Sequence, residues 1–283
     1  MATAPARKVD TSQGAVRRAA AAVESAKTPF PTEPPNTGGD QVELPGGLII
    51  REQEITTATI RELNGAAEEA LARAASGQAI HFLEVMLEHG VVALGDLSAE
   101  ESHRNLKKLL VGDRESLLVG IRVATYGDEI SVYNFVCPEC GVVTDKITFS
   151  LVEDVKTVRL SSPKDVEFDV KLRNGRSAHV RLPNGEDQHA ISENERLNAA
   201  ERNTLLMQRC VYSIQDAEGK QRSVMAQPGL IRDMGIKDRH EIRKALDEKA
   251  PGPRYNKIEF DHVDCGKAVS LGIDLGDLFL LQD

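Results

Sequence analysis

The chain has 283 residues, enough for one large or two modest domains with a buried core, and its net charge of −9 argues against phosphate-backbone binding as its main task. Its longest apolar runs are far too short to span a bilayer, and its start lacks the pattern of a secretory signal. Because four cysteines in so long a chain do not make a disulfide framework, we expect a reducing cytosol.

Residues 1–40 are predicted to form a flexible N-terminal arm. The alanine run Ala19–Ala22 could be helical, but four prolines between residues 29 and 35 and a following glycine pair prevent continuous regular structure. Two interpretations stay open. The arm is either a disordered tail or a segment that orders on a partner through Val23 and Phe30.

Residues 41–128 are predicted to form a helical region, with helical spacing of apolar residues over 57–125. One helix covers the apolar positions between 60 and 74, and a second ends near Gly90. Ser98 followed by Glu101 is a capping-box pattern that starts a third helix. We expect Asp113 to cap a fourth helix, which stops near Tyr126.

Residues 129–160 are predicted to hold a first cysteine knuckle and its strands. Apolar residues alternate with period two before and after the turn Cys137-Pro138-Glu139-Cys140-Gly141. Such alternation is typical of a β-hairpin whose turn carries the two cysteines.

Residues 161–254 are predicted to form an insert made of a hairpin and helices. Two alternating runs flank Asn174-Gly175, a pair that suits a tight hairpin turn. Ser192 is expected to cap the next helix, and a shorter helix covers roughly 238–249 before the prolines at 251 and 253 end it.

Residues 255–283 are predicted to hold the second knuckle and a C-terminal strand. Its turn, His262-Val263-Asp264-Cys265-Gly266, repeats the ligand spacing and the glycine of the first turn and also lies between alternating runs. The fold class is therefore α+β. It has a helical N-terminal half, a split zinc-ribbon-like β element built from two distant knuckles, and a hairpin plus helices inserted between them.

The two knuckles together predict a structural zinc site. Three thiolates and one imidazole, from Cys137, Cys140, His262 and Cys265, make a tetrahedral ligand set with no position left for water. His262 is the least specific member, because a single histidine near a strand end is often a surface residue. Asp264 as the fourth ligand, or no fourth ligand at all, are the alternatives.

The Cys137-Cys140 pair could instead be a redox pair, but such pairs lie at the start of a helix, whereas strand-like residues follow here. The fourth cysteine, Cys210, is expected to be a small buried apolar residue. The sequence shows no phosphate-binding loop, nucleophile elbow or metalloprotease helix. We therefore predict no catalytic residues, no cofactor-binding residues and no enzymatic activity.

Several short segments resemble a family of phage baseplate proteins, and the similarity covers residues 42–281. These segments are Ile60–Glu69, Gly112–Leu118, Tyr126–Asp128, Arg181–Asp187 and Cys265 through Leu280. The family comprises hub subunits and assembly proteins of contractile-tailed phages, with relatives in contractile injection systems.

The resemblance implies a structural or assembly protein that contacts other baseplate, tube or tape-measure subunits. We expect it to bind neither a membrane nor a small-molecule substrate. It places the protein in the bacterial cytoplasm during assembly and leaves open its retention in the tail or injection particle. The chain departs from the family at His262, where relatives usually carry the first cysteine of a pair. If His262 replaces that cysteine as a ligand, the site keeps zinc. If the position has instead lost its role as a ligand, the site is weakened or empty.

Two other functions are compatible with the sequence. A zinc-ribbon regulator that binds nucleic acid is the main alternative, but the acidic charge and the scarcity of aromatic residues count against it. A cytosolic enzyme with a structural zinc would need a catalytic cluster that the sequence does not display.

Overall fold

The computed structural model of the chain describes residues 39–273, apart from 76, 195 and 256, together with Phe279. The predicted arm at residues 1–40 lies outside the described residues except for Gly39 and Asp40. The described part belongs to one compact unit, Gly39–Asp283, and the segment boundaries given above stay predictions. No helix within it combines the length and the apolar character needed to cross a bilayer.

A three-stranded antiparallel sheet opens the fold: β1 (Asp40–Ile50), β2 (Gln53–Ile60) and β3 (Val91–Leu94), in the order β1-β2-β3. The prediction of a helical N-terminal half over 41–128 is wrong for these three segments. Threonines and isoleucines dominate β2, and such β-branched side chains favour a pleated, half-buried surface over a helix. Apolar spacing alone could not separate the end of β2 from the helix that follows.

Four helices accompany this sheet: α1 (Gly65–Ala74), α2 (Ala79–Gly90), α3 (Ala99–Asn105) and α4 (Val111–Tyr126). The predicted helix ends near Gly90 and Tyr126 are confirmed. The Ser98 hydroxyl accepts a hydrogen bond from the Glu101 N–H at 3.2 Å, as the capping pattern indicated.

Asp113 does not cap α4, which corrects the prediction. The helix begins two residues earlier, so Asp113 lies in its first turn, fully buried. Its carboxylate accepts a hydrogen bond from the Gly46 N–H at 2.6 Å, where the pairing register of β1 with β2 shifts. Because the partner is 67 residues away in sequence, local cap patterns could not reveal this contact.

The first knuckle hairpin follows α4 and consists of β4 (Glu129–Val136) and β5 (Val143–Ser150), paired antiparallel as the period-two pattern predicted. A short strand, β6 (Thr157–Val158), comes next.

A four-stranded antiparallel sheet then forms in the order β10-β9-β8-β7. Its strands are β7 (Glu167–Lys171), β8 (Ser177–Arg181), β9 (Val211–Gln215) and β10 (Gln221–Ser223). The predicted β7–β8 hairpin is confirmed, and Asn174 (φ 58°) and Gly175 (φ 72°) occupy the left-handed region in its turn. Strands β9 and β10 were not predicted from the sequence.

The helices of this half are α5 (Gly185–Ser192), α6 (Ala199–Cys210), α7 (Gly229–Asp233) and α8 (Ile236–Lys249). Ser192 ends α5 and does not cap the next helix, which corrects the prediction. Asn198 is the actual cap of α6, because its side chain accepts from the Glu201 N–H and the Glu201 carboxylate accepts from the Asn198 N–H.

The chain then adds β11 (Gly252–Pro253), which pairs with β6, and the second knuckle hairpin, β12 (Ile258–Asp261) with β13 (Ala268–Leu271). Both knuckle hairpins share one apolar cluster, in which Ile130 and Phe149 of the first pack with Ile258 of the second, against α4. The described residues therefore form a mixed α and β fold with eight α-helices and several small sheets, as the α+β prediction requires.

Candidate metal centre

The first knuckle is a tight turn that closes the β4–β5 hairpin. The Cys137 N–H donates to the Val142 carbonyl at 3.0 Å, and the Gly141 N–H donates to the Cys137 carbonyl at 2.9 Å. Gly141 has φ 73°, a conformation that a side chain disfavours. The turn therefore depends on this glycine to bring Cys137 and Cys140 to the same side.

The second knuckle repeats this geometry at the end of the β12–β13 hairpin. The His262 N–H donates to the Lys267 carbonyl at 2.9 Å, and the Gly266 N–H donates to the His262 carbonyl at 2.7 Å. Gly266 has φ 64°. Position by position, His262 stands where the first turn has Cys137, and Cys265 stands where it has Cys140.

The fold brings the two turns together. The ligand atoms of Cys137, Cys140, His262 and Cys265 all lie within 4.8 Å of one another. The sulfurs of Cys137 and Cys265 are 4.0 Å apart, and His262 Nδ1 lies 3.6 Å from the Cys140 sulfur and 3.4 Å from the Cys265 sulfur. Residues 128 positions apart in sequence thus form one cluster that is compatible with a metal site.

Burial differs across this cluster. Cys137 and His262 are buried, Cys265 is half-buried and Cys140 is exposed. Across the two turns, the Lys267 ammonium lies 2.9 Å from the Glu139 carboxylate. One side of the cluster therefore faces the protein interior and the other faces solvent.

The thiols influence one another's ionisation. Burial raises the pKa of Cys137, but hydrogen bonds from the Cys140 and Glu139 backbone N–H groups outweigh it and place this pKa below its ordinary value. At Cys140 the Val142 N–H acts to lower the pKa, yet partial desolvation and the neighbouring thiols of Cys137 and Cys265 together raise it. Because like charges repel, a thiolate at one position raises the free energy needed to ionise a second thiol beside it. A bound cation would offset this repulsion.

Thr144 is a member of the site that was not predicted from the sequence. Its hydroxyl oxygen lies 3.0 Å from His262 Nε2, the ring nitrogen that faces away from the sulfurs. The Phe135 ring also lies beside the imidazole, with 6.3 Å between ring centroids. Thr144 follows the first knuckle on β5, but one sequence does not indicate which strand residues face the other knuckle.

The alternatives to these four ligands are placed differently. Asp264 is exposed, and its carboxylate approaches His262 Nε2 at 3.7 Å instead of joining the sulfur cluster. The residues after Cys140 form strand β5, so the helix that a redox pair requires does not follow it. Cys210 is buried in the core beside the second sheet, as predicted.

The resemblance segment Arg181–Asp187 contacts the residues directly before the segment Gly112–Leu118. The Val111 N–H donates to the Pro183 carbonyl at 3.1 Å, and the Gly185 N–H donates to the Leu109 carbonyl at 3.0 Å. The start of α4 is therefore fixed against the start of α5, next to the buried Asp113.

A second buried carboxylate, Asp187, stabilises the same region. It accepts hydrogen bonds from both terminal nitrogens of Arg181, at 2.6 and 2.9 Å, and from Arg209 Nε at 2.7 Å. Burial acts to raise the pKa of Asp187, but these arginines outweigh it and lower the pKa.

Comparison with known proteins agrees with the resemblance. The family model described as T4 bacteriophage base plate protein matches residues 91–280, more than half of the chain and including both knuckles. Searches of curated proteins and of solved structures found no match. The chain therefore belongs to the family of T4 bacteriophage base plate proteins.

Proposed function

We propose that Cys137, Cys140, His262 and Cys265 bind one structural zinc ion. Zinc bonds of about 2.3 Å to sulfur and about 2.0 Å to nitrogen place tetrahedral ligand atoms about 3.8 Å apart for two sulfurs and about 3.5 Å for sulfur and nitrogen. The separations of 4.0 Å, 3.6 Å and 3.4 Å lie within about 0.3 Å of these values, and all four ligand atoms lie within 4.8 Å of one another, which supports the proposal.

The donor set also favours zinc over other common cations. Thiolate and imidazole ligands suit zinc, whereas calcium and magnesium prefer oxygen. With four protein ligands, no coordination position is left for water or substrate, so the ion would be structural. Its role would be to hold the β4–β5 and β12–β13 hairpins together as one split zinc ribbon.

We further propose that the protein is a non-enzymatic structural or assembly component of a phage tail baseplate or a contractile injection system. The family match over residues 91–280 is the observation that carries this proposal. Its partners would be other baseplate, tube or tape-measure subunits. It would act in the bacterial cytoplasm during assembly and could remain in the finished particle.

The metal site is tested by measuring zinc in the purified full-length chain by mass spectrometry. We expect one zinc per chain, lost in Cys137→Ser and in Cys265→Ser. Cys210→Ala is the matched control, because Cys210 is the one cysteine outside the cluster, and it should keep the metal. Folded wild-type protein without zinc would refute the site.

The assembly role is tested in cells that produce the phage or injection system encoding this chain. A tagged copy should co-purify with identified baseplate, tube or tape-measure subunits, and Cys137→Ser should weaken that association. Association with none of these subunits would count against the proposal. Salt-sensitive binding to DNA or RNA would instead support the nucleic-acid regulator.

A further inference from the structure

The His262 ring presents its two nitrogens to different surroundings. Nδ1 lies within 3.6 Å of the sulfurs of Cys140 and Cys265, whereas Nε2 lies 3.0 Å from the Thr144 hydroxyl oxygen. The ring is 2% exposed, so the protein around it limits its reorientation. Of the two nitrogens, Nδ1 is therefore the one placed to bind a metal held by the sulfurs.

We propose that Thr144 is the positioning residue that makes His262 an Nδ1 ligand, an inference that rests on the zinc site proposed above. A neutral imidazole carries one N–H. If Nε2–H donates to the Thr144 oxygen, the Nδ1 lone pair is left free for the cation. The same hydrogen bond fixes the plane of the ring, as partners of metal-bound histidines commonly do.

Thr144 is well suited to this role. It lies on β5 directly opposite Phe135, whose ring stands beside His262, so the strand pairing fixes its backbone. As a β-branched residue on a strand it has few side-chain conformations, so holding the hydroxyl in place costs little entropy.

Asp264 is the competing acceptor. Its carboxylate oxygen lies 3.7 Å from Nε2, beyond normal hydrogen-bond length, and its side chain is 55% exposed. The shorter and less exposed contact is the one to Thr144, which assigns the orienting role to the hydroxyl.

Three variants of the full-length protein test the assignment by competition for zinc with a chromophoric chelator. Thr144→Val keeps the shape but removes the hydroxyl, and we expect its zinc affinity to fall about 10- to 100-fold. Thr144→Ser restores the hydroxyl and should recover most of the affinity. Asp264→Asn should bind zinc like the wild type.

A second readout identifies the nitrogen of His262 that binds the metal. Long-range proton–nitrogen NMR on the zinc-loaded wild type should find His262 bound through Nδ1 and protonated at Nε2. Binding through Nε2, unchanged affinity in Thr144→Val, or a greater loss in Asp264→Asn would each overturn the assignment while leaving the zinc site intact. A wild-type chain that binds no zinc would remove the metal site, and the role of Thr144 with it.

Discussion

The buried carboxylate of Asp113 should make the stability of this protein depend on pH in an unusual direction. Its side chain is fully buried, and one oxygen accepts from Gly46 while the other, Oδ2, has no hydrogen-bond partner among the residues that the structure describes. Burial is the largest influence on the group and, despite backbone hydrogen bonds from Gly46, Gly47 and Leu110, raises its pKa from 3.8 to about 7. Folding therefore favours the protonated form.

The sign and size of this pH dependence follow from the difference between the folded and unfolded pKa of Asp113. A pKa that is higher in the folded state contributes stability below the unfolded value of 3.8, and this contribution is lost as the pH rises to about 7. At 1.36 kcal/mol per pKa unit, the full change is about 4 kcal/mol, of which about 2.5 kcal/mol falls between pH 5 and pH 8. Asp113→Asn cannot ionise and should lack this dependence.

The assay is urea unfolding of wild type and Asp113→Asn at several values between pH 5 and pH 8, with both proteins handled alike with respect to metal. The difference in unfolding free energy should move in favour of the variant by about 2.5 kcal/mol as the pH rises across this window. Both proteins carry the same cysteine and histidine cluster. Protonation of this cluster therefore changes both unfolding free energies equally and cancels in their difference.

Asp247→Asn serves as the control, because it removes a largely exposed carboxylate on α8, and its effect should stay within about 0.5 kcal/mol. A difference between wild type and Asp113→Asn that is constant across the pH range would refute the reasoning. Asp113 would then remain ionised in the folded protein.

Three other substitutions, the last with a control, test separate parts of the structure. His262→Cys should keep one zinc per chain, because a fourth thiolate suits zinc, and its cobalt-substituted form should show stronger sulfur-to-metal absorption; loss of the metal would contradict this. Asp187→Ala leaves two arginines without their buried partner and should cost about 3–5 kcal/mol in urea unfolding, so a loss below about 1 kcal/mol would be inconsistent with the observed network. Gly112→Ala places a Cβ 1.8 Å from the Pro251 carbonyl oxygen and should cost about 3 kcal/mol, whereas Gly65→Ala, its control, meets no atom of the described residues within 4 Å and should cost nothing.

The sequence predicted well those features that depend on short-range patterns. Period-two alternation identified the strands on both sides of each knuckle, and Asn174-Gly175 identified the hairpin turn because few other residue pairs adopt positive φ. The equal spacing of the two knuckles predicted that Cys137 and Cys265 would lie close together, and their sulfurs are 4.0 Å apart. Zinc itself stays a prediction.

Only the tertiary structure decided the remaining features, because their causes are distant in sequence. The strand β3 joins the β1–β2 hairpin from the far side of two helices, with Val91 opposite Ile60, a pairing that local propensity does not specify. Asp113 looks like a helix cap in sequence, but it accepts its hydrogen bond from Gly46, 67 residues away. Thr144 became part of the site only when strand pairing turned its hydroxyl toward His262, a contact across 118 residues that no local pattern encodes.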